Sequence, residues 1–222
     1  MRPLRTTLFC LSALAGMLAG CGSVQRPCLQ AGTCGQKHAC VASECLRSNE
    51  ALVPVALRRL VLAPSRAAVV TSRTSDAMNA TQIPFGREAD GQVILLLGFE
   101  APFGPDTDIR SAFLVLEPVA DATPSSAPVA LSLARILSPW SARDVSWGRL
   151  PRLSAIEGTW KASTWGQRPL RIDVTDEVRR WREHRDDDQG LALMASPRDA
   201  FGATYALGTG RGRGPVLDIY LR

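Results

Sequence analysis

Histidine is nearly missing from this chain: two occur in 222 residues. Imidazole-based metal centres and Ser-His or Cys-His catalytic pairs therefore have almost nothing to be built from. Neither sign of charge dominates, with 26 Lys and Arg against 21 Asp and Glu. A formal charge of +5 is too small to imply nucleic acid as a partner. No apolar run reaches the roughly 18 residues that a membrane-spanning helix needs. There is no fixed glycine period and no heptad run, which excludes collagen and coiled coil. Apolar content is ordinary at 45%, so long disorder is not expected. Cysteine is absent after Cys45, which confines any crosslinking to the first quarter of the chain.

The first 21 residues have three parts. Arg2 and Arg5 form a short positive region, residues 8–18 a small-residue apolar stretch, and Leu18-Ala19-Gly20-Cys21 follows. This is the pattern of a secretory signal. Its ending resembles a bacterial lipobox. That resemblance implies a signal peptide over 1–20, diacylglyceryl transfer to the Cys21 thiol, cleavage before Cys21 and acylation of the new amine. Thiolate nucleophilicity is what the acyl transfer requires. Gly22 rather than Asp follows Cys21. By analogy with Gram-negative sorting this implies the outer membrane, with the protein held there by several acyl chains. The competing expectation is an ordinary signal cut at a nearby small residue.

Cys28, Cys34, Cys40 and Cys45 lie close together at spacings of six, six and five. An even count in an exported chain predicts two disulfides. The spacings do not match paired C-x-x-C zinc knuckles, and an oxidising compartment favours disulfides over a metal held with His38. Three connectivities exist. Overlapping loops, Cys28–Cys40 with Cys34–Cys45, make the more compact knot. The segment resembles small Cys-rich pieces that follow lipid anchors in bacterial surface proteins. Residues 21–52 are thus expected to be an anchor and spacer, held by crosslinks because they are too few to bury a core.

From residue 53 to 222 the pattern is short apolar runs split by Pro, Gly, Ser and Asp. Strands are predicted over 55–62, 67–71, 93–99, 111–118, 129–136, 170–174, 190–195, 203–206 and 216–221. Residues 111–116 and 216–221 alternate with period two, which predicts one buried face each. Residues 93–99 are apolar throughout, which predicts a central strand covered on both faces. One short helix is expected near 175–184. Thr175 is its expected cap, Asp176 and Glu177 sit in its first turn, and Val178 and Trp181 share one face. Many short strands with Gly and Pro turns predict an all-β sandwich or barrel.

Four stretches resemble the DNRLRE domain, a family related to a carbohydrate-binding module family and to disaggregatase-associated repeats. They are 93–99 followed by Ile109-Arg110-Ser111-Ala112-Phe113-Leu114-Val115-Leu116; Trp140-Ser141-Ala142-Arg143-Asp144-Val145-Ser146-Trp147; Ile172-Asp173-Val174-Thr175 through Trp181; and Gly190-Leu191-Ala192-Leu193 with a final strand over 215–221. They span about 150 residues in the family's order. The chain departs from the family in three places. It has Val93 and Ile94 where a basic residue is usual, carries an insert over 150–168, and lacks the name-giving hexapeptide. The resemblance implies a jelly-roll-like β-sandwich. It implies no particular ligand, because members occur as appendages on many secreted and wall-associated proteins.

Sugar rings stack on flat aromatic faces, and tryptophan offers the largest. Trp140, Trp147 and Trp181 fall beside apolar strand or helix positions and are expected to pack. Trp160 and Trp165 sit in the insert among Ser, Thr, Gly and Lys, and are the expected ligand contacts. Asp106 and Asp108 alternate in a loop, which suits calcium better than the consecutive Asp186, Asp187 and Asp188, expected to form a solvated turn. The glycine-rich run 208–214 lacks the Lys-Ser/Thr ending of a phosphate loop and is read as a hairpin connection, with Arg211 and Arg213 able to touch anionic polymers or lipid head groups. No nucleophile elbow, zinc-binding His pair or marked carboxylate pair is present. The expectation is a non-catalytic module without cofactor or metal. It is lipid-anchored at the cell outer membrane and binds polysaccharide. The alternative is a purely structural or protein-binding lipoprotein.

Overall fold

The computed structural model describes Cys34, 38–41, 44–47, 58–73, 81–100, 102–104, 106–119, 127–162, 169–184, 189–208 and 214–222. Cys21, Cys28 and Trp165 lie outside the described residues.

The N-terminal elements are β1 (His38–Val41) and β2 (Glu44–Arg47), an antiparallel hairpin with Cys40 opposite Cys45. A disulfide joins Cys34 to Cys45. That is one of the two pairings expected from compactness; the other, Cys28–Cys40, involves Cys28, which lies outside the described residues.

Two antiparallel sheets form the body. One has β3 (Arg58–Leu62), β7 (Ile109–Leu116), β10 (Leu170–Asp173) and β13 (Val216–Leu221), in the order β10-β7-β13-β3. The other has β4 (Arg66–Thr71), β6 (Val93–Gly98), β8 (Val129–Arg135), β9 (Gly158–Ala162) and β11 (Leu191–Ala195), in the order β4-β6-β11-β8-β9. Along the chain the strands hop between the sheets, so first and last strands pair while most sequential neighbours do not. This is a jelly-roll-like sandwich. A two-stranded ribbon, β5 (Gln82–Phe85) with β12 (Ala203–Ala206), adds Ile83, Phe85 and Tyr205 to the core.

The core follows from side-chain alternation. Leu114, Ile172, Leu217 and Ile219 from the four-stranded sheet meet Val69, Leu95, Leu131 and Leu193 from the five-stranded one, and all are essentially inaccessible. In β7 both Ile109 and Ala112 face inward, an odd spacing. The register shift between Tyr220 and Leu221 supplies the extra residue that makes this possible. Every residue of β6 is buried. Its inner residues join the main core. Ile94 and Leu96 turn outward into a second cluster with Ala68, Val70, Ile136, Val145 and Ala192. The uniformly apolar run is thus covered on both faces, as expected.

Gly190 has φ +128° just before β11, a backbone state that side chains strain, and a Cβ there would overlap the Leu97 carbonyl oxygen. The helix α1 (Thr175–Glu183) buries Val178 and Trp181, with the Trp181 ring stacked 6.1 Å from Phe99 at the end of β6. Thr175 does not cap it. Val174 occupies the cap position, and the Thr175 hydroxyl instead accepts the Ala112 N–H of β7 at 3.0 Å and donates to Asp173 at 2.6 Å. As the first helical residue, Thr175 lies one position past the cap, from which a side chain would accept the free amides of the first turn. Arg179 and Arg182 complete the seating by donating to the carbonyls of Ile109, Arg110 and Thr107 at 3.0–3.2 Å.

Candidate functional site

The aromatic residues sort by what lies under them. Trp181 is 6% exposed in the main core. Trp160 belongs to β9, opposite Leu131, and is not in the loop expected for it. The strand was hidden because only Trp160 and Ala162 of its five residues pack inward and neither neighbour of Trp160 is apolar. The half-buried ring packs against the main core and lies back over Gly158, where a Cβ would meet it. Trp140 and Trp147 pack against the outer cluster of the five-stranded sheet.

That outer cluster is roofed by residues 137–153. Main-chain bonds from Leu137 N–H to Arg152 O at 2.7 Å and from Ser154 N–H to Arg135 O at 2.9 Å close the loop at its base. Ser138 Oγ accepts the Arg152 N–H at 2.9 Å, and Ser141 Oγ accepts the Arg143 N–H at 3.2 Å. Pro139 and Pro151 stiffen the loop, since each fixes its own φ. Val145 is the inward anchor of the loop, at 5% exposed.

Within the roof is a groove of about 510 Å³, lined by Trp140, Asp144, Arg149, Ser138, Ser141 and Leu150 among others. Asp144, Arg149 and Ser141 are exposed, so the groove opens to solvent. Trp140 is held from behind. Its indole N–H donates to Gln189 O at 3.1 Å. The Arg66 guanidinium donates to the same carbonyl at 3.1 Å and to Gln189 Oε1 at 3.0 Å, and it lies over the indole ring at 5.1 Å from the centroid. Gln189 is itself fixed by its N–H to Ile136 O at 2.7 Å. The ring is therefore oriented before any ligand arrives, which lowers the ordering cost of binding.

The other sequence candidates are placed as follows. Asp108 pairs with Arg110 at 3.2 Å. His38 is exposed in β1, and His184 is exposed at the end of α1. Asp186, Asp187, Asp188, Arg211 and Arg213 lie outside the described residues. Among the described residues, no three His, Cys, Asp or Glu side chains gather as a metal site would require, and no helix is long and apolar enough to cross a membrane.

Two carboxylates near α1 are pushed in opposite directions. Glu157, before β9, is held below the usual range by its 3.1 Å bond from Arg135, against a smaller opposing effect of burial. Glu177 is pushed up, first by burial and then by the nearby charges of Glu157 and Asp176.

The structure thus brings Trp140, Asp144 and Arg149 together in one groove and leaves Trp160 outside it. The Trp140–Trp147 stretch was legible as a landmark, yet its apolar neighbours signalled packing alone. The residue that orients Trp140, Arg66, stands 74 positions earlier and gives no local signal. No protein-family model matches the chain, and no curated protein does.

Proposed function

We propose that this protein is a lipid-anchored component of the cell envelope whose β-sandwich is a non-catalytic binding module for polysaccharide. The anchor is Cys21, the spacer is the Cys-rich segment around the Cys34–Cys45 bridge, and the DNRLRE-like sandwich carries the binding face. The observation that carries the reading is the groove over the outer sheet face, with a pre-oriented tryptophan and hydrogen-bonding side chains of both signs. Aromatic stacking with a few placed polar groups is the usual chemistry of a sugar site. Single-site affinity for such a platform is modest, so many copies anchored on one surface would act through avidity.

Two measurements test it. Cells expressing wild type or Cys21→Ala are fed a palmitate analogue and fractionated. Labelled, membrane-bound wild type with an unlabelled, soluble variant supports the anchor, while unlabelled soluble protein in both removes it. A glycan array on the purified sandwich then tests the ligand class. The competing reading, a structural or protein-binding lipoprotein, is favoured by one observation: each described tryptophan packs against an apolar cluster. An array without a single polysaccharide hit supports that alternative.

A further inference from the structure

The following rests on reading the Trp140 groove as a polysaccharide site. We infer that the groove takes a neutral pyranosyl segment and discriminates against both acidic and amino glycans.

The charge of the lining is the first argument. It holds one carboxylate, Asp144, and one guanidinium, Arg149. Among the described residues neither is ion-paired, with the other or elsewhere. The lining therefore attracts a polymer of neither sign. A uronate chain seated there would set its carboxylates against Asp144. A neutral sugar satisfies both groups at once, because a hydroxyl donates to a carboxylate and accepts from a guanidinium. Bonds to charged partners are the stronger kind.

The indole gives the second argument. A guanidinium already lies over the Trp140 ring. An ammonium brought to this ring would share its quadrupole with Arg66 and be repelled by the guanidinium charge. The C–H face of a neutral pyranose meets no such opposition. Ser138 and Ser141 each accept one backbone N–H, which leaves their hydroxyl protons to donate to ring or hydroxyl oxygens. A volume of about 510 Å³ suits a short segment of chain. Arg143 and Arg152 flank lining residues in the chain and are exposed, outside the lining itself. Being exposed, their charges speed encounter with a polyanion at low salt and are weakened by added salt.

The test is affinity electrophoresis of the full protein through a neutral panel (laminarin, amylose, dextran, galactomannan), polygalacturonate and chitosan. At least one neutral polymer is expected to retard wild type, with little change between about 0.05 and 0.5 M NaCl. Trp140→Ala should weaken that retardation about tenfold. Should that variant misfold, Trp140→Phe and the surface changes Asp144→Asn and Arg149→Gln carry the test, each reducing neutral binding. Asp144→Asn should also let polygalacturonate bind where wild type does not. Retardation by polygalacturonate or chitosan alone overturns the inference, as does neutral binding indifferent to all four substitutions. Failure of every polymer, neutral or charged, removes the polysaccharide reading itself and the inference with it.

Discussion

Arg59 on β3 grips Asp218 on β13 diagonally across the ladder, through Nε at 2.7 Å and Nη2 at 3.0 Å. Asp218 faces away from the main core yet is only 1% exposed, and it also accepts the Tyr220 hydroxyl at 3.3 Å. The guanidinium keeps its proton more firmly for this bond, despite the opposing effect of burial. Removing one partner of such a pair costs more than the pair contributes, because the other is left charged and dry. Arg59→Met strands the buried carboxylate and should cost about 2–3 kcal/mol. Asp218→Asn strands a partly exposed guanidinium and should cost about 1 kcal/mol. Urea midpoints with unchanged slope measure both. Equal losses would show that burial of Asp218 is not what sets the cost.

Gly190 is the hinge between the main sheet and the groove. Its φ of +128° and its closeness to the Leu97 carbonyl leave no room for a side chain. It directly follows Gln189, whose carbonyl receives the Trp140 indole. Gly190→Ala should lower stability by about 1–3 kcal/mol and shift β11 against β6. The shift moves Gln189, so the emission of Trp140 should change as well. Fluorescence of wild type and Gly190→Ala, each on a background with the other tryptophans replaced by Phe, reads the effect. Unchanged Trp140 emission in a destabilised variant would separate the groove from the hinge.

Most of the sandwich was legible because its strands are buried on at least one face. Residues 216–221 alternate in sequence, but both faces of β13 are covered, Asp218 and Tyr220 being nearly as buried as Leu217 and Ile219, whereas 93–98 are apolar throughout for the physical reason that a loop roofs their outer face. Two strands of the sandwich escaped notice, as did β1 and β2 in the Cys-rich segment. Pro84 disguised β5, tolerated because its ribbon has only two strands and needs no donor there. Trp160 stood alone in β9 among polar neighbours and read as a loop residue. The groove was less legible than the fold. Its aromatic floor, its acid and its base share one 10-residue stretch, but Arg66 and Gln189 reach it only through strand pairing, and sequence shows no such distance.

Acid and base should act oppositely on the two carboxylates near α1. Glu157 has a depressed folded pKa, so its contribution is present above the unfolded value and lost as pH falls through the folded one. Glu177 has a raised folded pKa. Its ionised form costs stability, so that penalty is absent below the unfolded pKa and grows as pH rises towards the raised folded one. Glu177→Gln should therefore raise Tm at pH 7 and have little effect at pH 4. Glu157→Gln should lower Tm at pH 7 and flatten the loss of stability below pH 5. Melting curves across pH 3.5–8 decide. A Glu177→Gln variant that is less stable at pH 7 would mean that its carboxylate is held by a favourable partner.

The Cys34–Cys45 bridge spans 11 residues and ends inside the β1–β2 hairpin. Two strands alone are marginal in water, so the crosslink should be what holds the pairing. Closing a loop of this length stabilises by about 2–3 kcal/mol in the chain-entropy account. A Cys34→Ser/Cys45→Ser variant should then lose hydrogen-exchange protection in the amides of 38–47 by on the order of a hundredfold. Mapping of non-reduced peptides from wild type should give Cys28 joined to Cys40, the pairing left once Cys34 and Cys45 are joined. A Cys28–Cys40 bridge, where the mapping finds it, sets the size of the effect. With Cys28–Cys40 intact, Cys40 stays tethered beside its register partner and some protection survives. With both bridges removed, protection should vanish. Protection unchanged in the double variant would mean that the hairpin is held by contacts other than its sulfurs.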